Sequence, residues 1–239
     1  MKALILNSGM GSRMGKYTAE HPKCMTSLLG EETIISRQLG FLEKAGIKDV
    51  VITTGYYNEV LIDYCKSLNS SLNFEFVYNP VYNKTNYIYS IYCAKEILRD
   101  EDILLLHGDL VFEYSVLEDI LADERSCMKV SSTLPLPEKD FKAVVHDGKV
   151  DKVGVEYFDD AMEAQAMYKL NGKEWNMWLD KIVEYCENDK CKCYAEVAFN
   201  EISDSCHIFA HDVKDRLCTE IDTPEDYASV LEKLKTIKE

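Results

Sequence analysis

Directly after an N-terminal apolar run (residues 2–6), the chain reads Asn7-Ser8-Gly9-Met10-Gly11-Ser12-Arg13-Met14-Gly15-Lys16, with Pro22-Lys23 shortly beyond. The glycines let backbone N–H groups come close to an anion, and Arg13, Lys16 and Lys23 supply positive charge. The chemistry such a stretch suits is the cradling of phosphates. It is not the dinucleotide fingerprint, which needs Gly or Ala where Met14 stands. Nor is it a Walker A loop, which would need Gly at Met10 and Ser or Thr at Tyr17. Two carboxylates sit beside apolar segments further on: Asp109 in His107-Gly108-Asp109, and Asp222 ahead of Thr223-Pro224. Each has an ordinary alternative, a solvated turn carboxylate for Asp109 and a helix cap for Asp222.

The elements that must position these residues follow from periodicity. Residues 2–6, 49–54 and 102–107 are apolar runs, as expected of strands buried on both faces, and 74–78 alternate like a strand. Ile35, Leu39 and Leu42 recur at helical spacing before Gly46, and an amphipathic segment covers 57–68. Asn86 is placed to cap a helix running to about Leu98. Strands separated by helices imply βαβ units and a largely parallel sheet. From about residue 128 the rhythm changes. Segments 128–134, 141–146 and 149–157 read as strands, with Asp147-Gly148 as a hairpin turn. A helix is expected over 173–187, and another after Thr223-Pro224 with Tyr227, Val230, Leu231 and Leu234 on one face. The expected class is α/β: one domain over 1–239, a Rossmann-like α/β/α sandwich with a mixed, mostly parallel central sheet and a β-rich second half.

The chain has 239 residues, with 27 Lys and Arg against 42 Asp and Glu and a net charge of −15. So acidic a chain is a poor general partner for nucleic acid, and an anionic substrate would need local cations or a metal ion. No apolar run is long enough for a bilayer span or a signal peptide, so no membrane insertion is expected. Nine scattered cysteines, an odd number, read as reduced thiols and point to the cytoplasm. Cys186, Cys191, Cys193, Cys206, His207 and His211 cluster in sequence and are zinc-ligand types. Their spacing lacks paired Cys-x₂-Cys knuckles, so free thiols and surface histidines are the favoured reading.

Together these motifs resemble the nucleotidyltransferase (NTP transferase) family that makes NDP-activated metabolites. Gly-x-Gly-x-Arg followed by Pro-Lys after the first strand is similar to its signature, Thr54-Gly55-Tyr56 to its loop after strand two, and His107-Gly108-Asp109 to its metal-binding Asp. Glu220-Ile221-Asp222-Thr223-Pro224 resembles the closing motif with the second metal-binding Asp. Residues 83–91 (NKTNYIYSI) look like the phosphocholine cytidylyltransferase branch. Two departures stand out: Asn7-Ser8 replaces the usual Ala-Ala, and Gly15-Lys16 replaces the usual Pro and Thr, which puts Lys16 in reach of a triphosphate.

The resemblance implies a reaction of CTP, or another NTP, with a phosphorylated or phosphonate small molecule, releasing pyrophosphate. Residues 1–125 become the nucleotide-binding half and 126–239 the acceptor-binding half. Arg13 and Lys23 are the implied catalytic cations, and Asp109 and Asp222 the implied ligands of Mg²⁺, which prefers carboxylate and phosphate oxygens. Leu6, Asn7, Ser8, Gly9, Gly11, Ser12, Lys16, Gly55, Tyr56, Asn86, Ser90, His107 and Gly108 would complete the nucleotide site. A glycosyltransferase would carry Asp-x-Asp where Asp109-Leu110-Val111 stands, and a regulatory nucleotide-binding domain would not need all four charged residues.

For the acceptor, Glu163, Tyr168, Trp175, Trp178 and Glu196 combine rings with carboxylates, a set suited to a small cation. Phosphocholine is the first expectation and 2-aminoethylphosphonate the second, while sugar 1-phosphates, lacking a cation, are less favoured. Rings at these spacings also fit a core.

Overall fold

The computed structural model describes residues 1–237. The first part alternates as β1 (Lys2–Asn7), α1 (Ile34–Lys44), β2 (Asp49–Thr54), α2 (Asn58–Ser67), β3 (Asn73–Tyr78), α3 (Tyr87–Cys93), α4 (Lys95–Leu98) and β4 (Ile103–His107). These four strands are parallel in the order β3-β2-β1-β4. Thr33 and Ser36 form a capping box that starts α1, satisfying backbone donors the helix leaves orphaned. The helix expected from Asn86 to Leu98 breaks at Ala94 (φ −93°, ψ 2°) and continues as α4.

The second part adds β5 (Leu110–Phe112), α5 (Tyr114–Ala122), β6 (Cys127–Ser131), β7 (Lys142–His146), β8 (Lys149–Gly154) and β9 (Ala161–Leu170). It closes with α6 (Gly172–Glu187), α7 (Ala195–Asn200), β10 (Phe209–Asp212), β11 (Cys218–Glu220) and α8 (Pro224–Leu234). One sheet of nine strands, β3-β2-β1-β4-β9-β6-β10-β8-β7, runs through both halves, and β5 pairs separately with β11. The expected strands at 128–134 and 149–157 end earlier, at Ser131 and Gly154.

Strand β9 is the main surprise. Its sequence AMEAQAMYKL is built of helix formers, yet it lies antiparallel between β4 and β6, and its residues 163–170 are buried. Burial between two strands overrides local propensity there. Helices α3, α6 and α7 cover one face of the sheet, and α1, α2 and α5 the other. A smaller cluster of Met14, Val111, Ile221 and Val230 anchors α8. This is the expected Rossmann-like α/β/α sandwich. Among the described residues no helix is long and apolar enough to cross a membrane.

Candidate active site

Strands β2 and β3 extend the sheet to one side of β1 and β4 extends it to the other. At such a switch point the C-terminal strand ends splay apart, and ligands of open α/β sheets bind in the crevice. Here the crevice is framed by Leu6–Ser8 of the first strand end and His107–Asp109 of the fourth. Leu6 and His107 are register partners, and the Gly108 N–H donates to the Leu6 carbonyl at 3.1 Å. The Gln38 amide, buried on α1, donates to the carbonyls of His107 (2.9 Å) and Leu110 (2.8 Å) and so fixes the turn that carries Asp109. The β5–β11 pair then brings the distant segment 220–222 alongside, with the Ile221 N–H donating to the Asp109 carbonyl at 3.1 Å.

The Gly-rich loop folds over this crevice. Gly11 has φ +62°, a left-handed conformation that strains other residues, and a Cβ there would also approach the Lys23 Cβ tightly, at 3.2 Å. The close approach delivers Lys23 to Asp109, with which it forms an ion pair, and to Asp222 at 2.6 Å. Arg13 also reaches Asp222, at 2.9 Å, with most of its side chain in solvent. Asp222 is free for this because Thr223 and Asp226 form the capping box of α8, which removes the helix-cap alternative. Burial disfavours the Lys23 ammonium, but the Asp109 and Asp222 carboxylates outweigh it and hold its pKa above the usual lysine range.

His107 Nδ1 lies 2.8 Å from Glu220 Oε1. Burial disfavours the charged imidazole, yet Glu220 more than compensates and raises its pKa to about 9, so a protonated ring stands beside Asp109 at neutral pH. Three buried polar atoms at this crevice, Asn7 Nδ2, His107 Nε2 and Asp109 Oδ1, have no protein partner. Each unpaired buried group costs about 1–3 kcal/mol, a cost that a bound polar ligand would remove. The free Asp109 oxygen and the adjacent Asp222 carboxylate are hard oxygen donors of the kind Mg²⁺ takes. His107, Asp109 and Glu220 also place one ligand atom each within 4.8 Å of one another.

Two connected clefts open here. The larger, about 420 Å³, is lined by Arg13, Lys23, Asp109 and Asp222 together with Tyr87, Lys139, Asp140, Phe141, Tyr194 and Glu220. The smaller, about 310 Å³, is lined by Ser8, Asn79, Thr85, Asn86 and Ser90 and shares Leu6, Gly9, Tyr82, Tyr87, His107 and Asp109 with the first. Asn7, Gly11 and Ser12 line the larger cleft. Lys16 does not: it is exposed, with its ammonium 5.3 Å from the Tyr17 ring centre. Gly55 and Gly108 line neither cleft and act through close approach, since a Cβ would overlap the Ser8 carbonyl at Gly55 and the Asn7 amide at Gly108. Tyr56 is exposed, packed edge-on against Tyr57.

The acceptor residues expected from sequence require correction. Trp175 and Trp178 are wholly buried in the core, their indole N–H groups donating to the carbonyls of Leu98 (2.7 Å) and Ala195 (2.9 Å). Tyr168 is equally buried and donates to Glu196 at 2.9 Å, while Tyr87 donates to the other Glu196 oxygen. Glu163 pairs inside the protein with Lys129 and accepts from Gln165. None of the five lines a cleft. The second half instead reaches the site through Asp140, Phe141 and Tyr194. Lys142 sets that loop, its buried ammonium donating to the carbonyls of Pro137 (2.6 Å) and Asp140 (3.2 Å). Glu220 was discoverable, since it stands two residues before Asp222 and an extended chain puts both on one face. Asp140 carries no such signal, and Phe141, expected as the first residue of a strand over 141–146, lies just before the observed strand, which begins at Lys142.

The thiols of Cys186, Cys191, Cys193 and Cys206 each donate to a backbone carbonyl, and all nine cysteines are free. His207 contacts the Asp204 carbonyl, and His211 the Asp123 carboxylate, which Arg125 also holds through both oxygens.

Residues 3–130 match the MobA-like NTP transferase domain. A CMP-5'-(3-aminopropyl)phosphonate synthase of Streptomyces rubellomurinus is 31% identical over 70% of this chain and 26% of its own length. A choline-phosphate cytidylyltransferase of Haemophilus influenzae is 23% identical over the whole of both chains. The solved CTP:phosphocholine cytidylyltransferase of Streptococcus pneumoniae shares the fold, with a TM-score of 0.75 at 20% identity over 98% of each chain. The chain spans about half or less of the length of several curated relatives it matches. The switch-point crevice, the Gly-rich loop and this match agree: the chain belongs to the NTP transferase family and is similar to its phosphocholine cytidylyltransferase branch.

Proposed function

We propose that this chain is a Mg²⁺-dependent cytidylyltransferase that joins the CMP unit of CTP to a small phosphate or phosphonate bearing a cationic group. The observation that carries the reading is the larger cleft, where Lys23 and Arg13 share the lining with Phe141, Tyr194, Asp140 and Glu220. An oxygen of the acceptor attacks the α-phosphorus, the bond from that phosphorus to the β-bridging oxygen breaks, and pyrophosphate leaves with the bonding pair. A phosphomonoester is mostly dianionic at pH 7, so no general base is required, and positioning with charge neutralisation supplies the catalysis. Lys23 and Arg13 exchange their carboxylate partners for phosphate oxygens. Asp109 and Asp222 would hold Mg²⁺, whose charge when bound offsets that of the triphosphate.

Ring faces beside carboxylates suit a cation, and the similarity to choline-phosphate cytidylyltransferases puts phosphocholine first. A second reading, an aminoalkylphosphonate, is favoured by Asp140 and Glu220, which can accept N–H bonds from a primary ammonium, and by the similarity to the aminopropylphosphonate synthase. Pyrophosphate release from CTP and UTP with phosphocholine, 2-aminoethylphosphonate and a sugar 1-phosphate, with and without Mg²⁺, tests both. The expected result is Mg²⁺-dependent turnover of a cationic acceptor. Turnover confined to sugar 1-phosphates overturns the acceptor class, and no release with any pair overturns the enzyme reading.

A further inference from the structure

We propose that Cys186 and Cys191 form an oxidation site, which a peroxide converts to a disulfide, and that this bond loosens the wall of the nucleotide cleft. The disulfide stands apart from the nucleotidyltransferase reading, and only its effect on the cleft rests on that reading. Helix α6 ends in a turn that brings the two residues together. The Lys190 N–H donates to the Tyr185 carbonyl at 2.9 Å and the Asp189 N–H to the Cys186 carbonyl at 3.2 Å. Asp189 takes the left-handed conformation, φ +59°, that such a Schellman end requires. The reversal folds Cys191 back over the last turn of the helix. Its thiol donates to the Cys186 carbonyl at 3.6 Å, and its sulfur comes up to that of Cys186. Cys193 is also near, but its thiol is turned to the Lys190 carbonyl at 3.3 Å.

Cys191 is half-buried and Cys186 buried, so the first meets an oxidant and the second follows. The Cys191 sulfur attacks one oxygen of hydrogen peroxide, the O–O bond breaks, and a sulfenic acid and a water form. The Cys186 sulfur then attacks the Cys191 sulfur and displaces its hydroxyl as a second water. Two thiols have given up their hydrogens, the peroxide is reduced to two waters, and a thiol reductant reverses the change.

The same turn is tied to both clefts. The Cys191 carbonyl accepts from the Asn86 N–H at 2.7 Å, and Asn86 Oδ1 caps α3 by accepting from the Tyr87 N–H at 2.7 Å. Asn86 lines the smaller cleft and Tyr87 lines both. Three residues beyond Cys191, Tyr194 lines the larger cleft, its ring centre 5.9 Å from that of Tyr87. A disulfide holds its sulfurs about 2 Å apart, so closing it draws Cys191 toward α6 and disturbs its hold on Asn86.

Treating the full chain with hydrogen peroxide, alkylating the remaining thiols and mapping tryptic peptides without reductant tests the site. Lys190 and Lys192 put Cys186, Cys191 and Cys193 in separate tryptic peptides. The expected product is a Cys186–Cys191 linkage that dithiothreitol reverses. Linkage confined to other pairs, or Cys191 carried to sulfinic acid without a disulfide, overturns the site. Calorimetric titration with CTP and Mg²⁺ reads the coupling. The oxidised chain is expected to bind CTP about fivefold more weakly, as for one disturbed hydrogen bond, and dithiothreitol should restore the affinity. Cys186→Ser and Cys191→Ser should bind CTP as the wild type does and lose both the linkage and the peroxide effect. Equal CTP affinity of the linked and reduced chains, or a peroxide effect that persists in both variants, overturns the coupling. A chain that binds no CTP in either state overturns the nucleotide reading and the coupling with it, while the mapped linkage still decides the site.

Discussion

The switch-point crevice and the interior of the second half both hold charged and aromatic residues, but they treat polar atoms in opposite ways. Inside the second half each such group flagged by the sequence is paired. The two indoles donate to carbonyls, Tyr168 donates to Glu196, and Glu163 meets Lys129 and Gln165. At the crevice, Asn7 Nδ2, His107 Nε2 and Asp109 Oδ1 are buried without partners, and a single lysine is shared between two carboxylates. Residue type was a poor guide to which region does chemistry. Saturated hydrogen bonding marks structure, and unfilled or shared bonding marks the place a ligand completes.

Breaking the unsaturated side should have the largest effect. Asp109→Asn removes a charge but keeps the shape, and turnover should fall about a thousandfold, as for other groups that act on charge in the transition state. The melting temperature should stay within a few degrees of wild type. Activity above one tenth of wild type at saturating Mg²⁺ would remove Asp109 from the site. Lys23→Met comes next, with kcat/KM for the nucleotide expected to drop about a hundredfold through both kcat and KM. An effect on acceptor KM alone would make Lys23 a contact of the acceptor and not of the triphosphate.

The saturated side is sharpened by Trp178→Phe. Loss of the N–H bond to Ala195 and of ring volume should cost about 1–2 kcal/mol of stability, read from denaturant unfolding, while kinetic constants change less than twofold. A tenfold rise in acceptor KM would return Trp178 to the acceptor pocket.

These regions also differ in how far the sequence could reveal them. The strand ends of the first half were legible because continuous apolar runs and Gly-rich turns are local signals, and β2 falls on Asp49–Thr54 as expected. Asp109 and Asp222 were legible as motif positions, yet their common hold on Lys23 depends on the β5–β11 pairing, which joins segments far apart in sequence. Strand β9 was not legible, since Ala, Met, Glu and Gln prefer helices and only the neighbouring strands make it extended. The acceptor residues were misread for a related reason. Rings and carboxylates close in sequence suggested a pocket, but β9 is buried on both faces and the apolar face of α6 packs on the core, so both elements hold these side chains inside.

Glu196 lies at the seam between the two regions and gives the smallest, most discriminating test. It is 1% exposed and belongs to the saturated interior, yet one of its two phenol partners, Tyr87, lines both clefts, with its ring 4.7 Å from that of His107. Glu196 therefore bears on the clefts through its bond to Tyr87 and through its charge near His107 and Tyr194, without lining either cleft itself. Glu196→Gln keeps the volume and one carbonyl acceptor, but turns an amide toward the second phenol, which must then rotate to accept. Charge-assisted bonds are stronger than neutral ones, so a stability loss of about 1 kcal/mol is expected. Acceptor KM should rise no more than about threefold, equally for a trimethylammonium and a primary ammonium acceptor, with the nucleotide constants unmoved. A carboxylate in contact with the acceptor would instead weaken the primary ammonium far more than the trimethylammonium, because only the former donates N–H bonds. That unequal response would move Glu196 out of the interior and into the pocket.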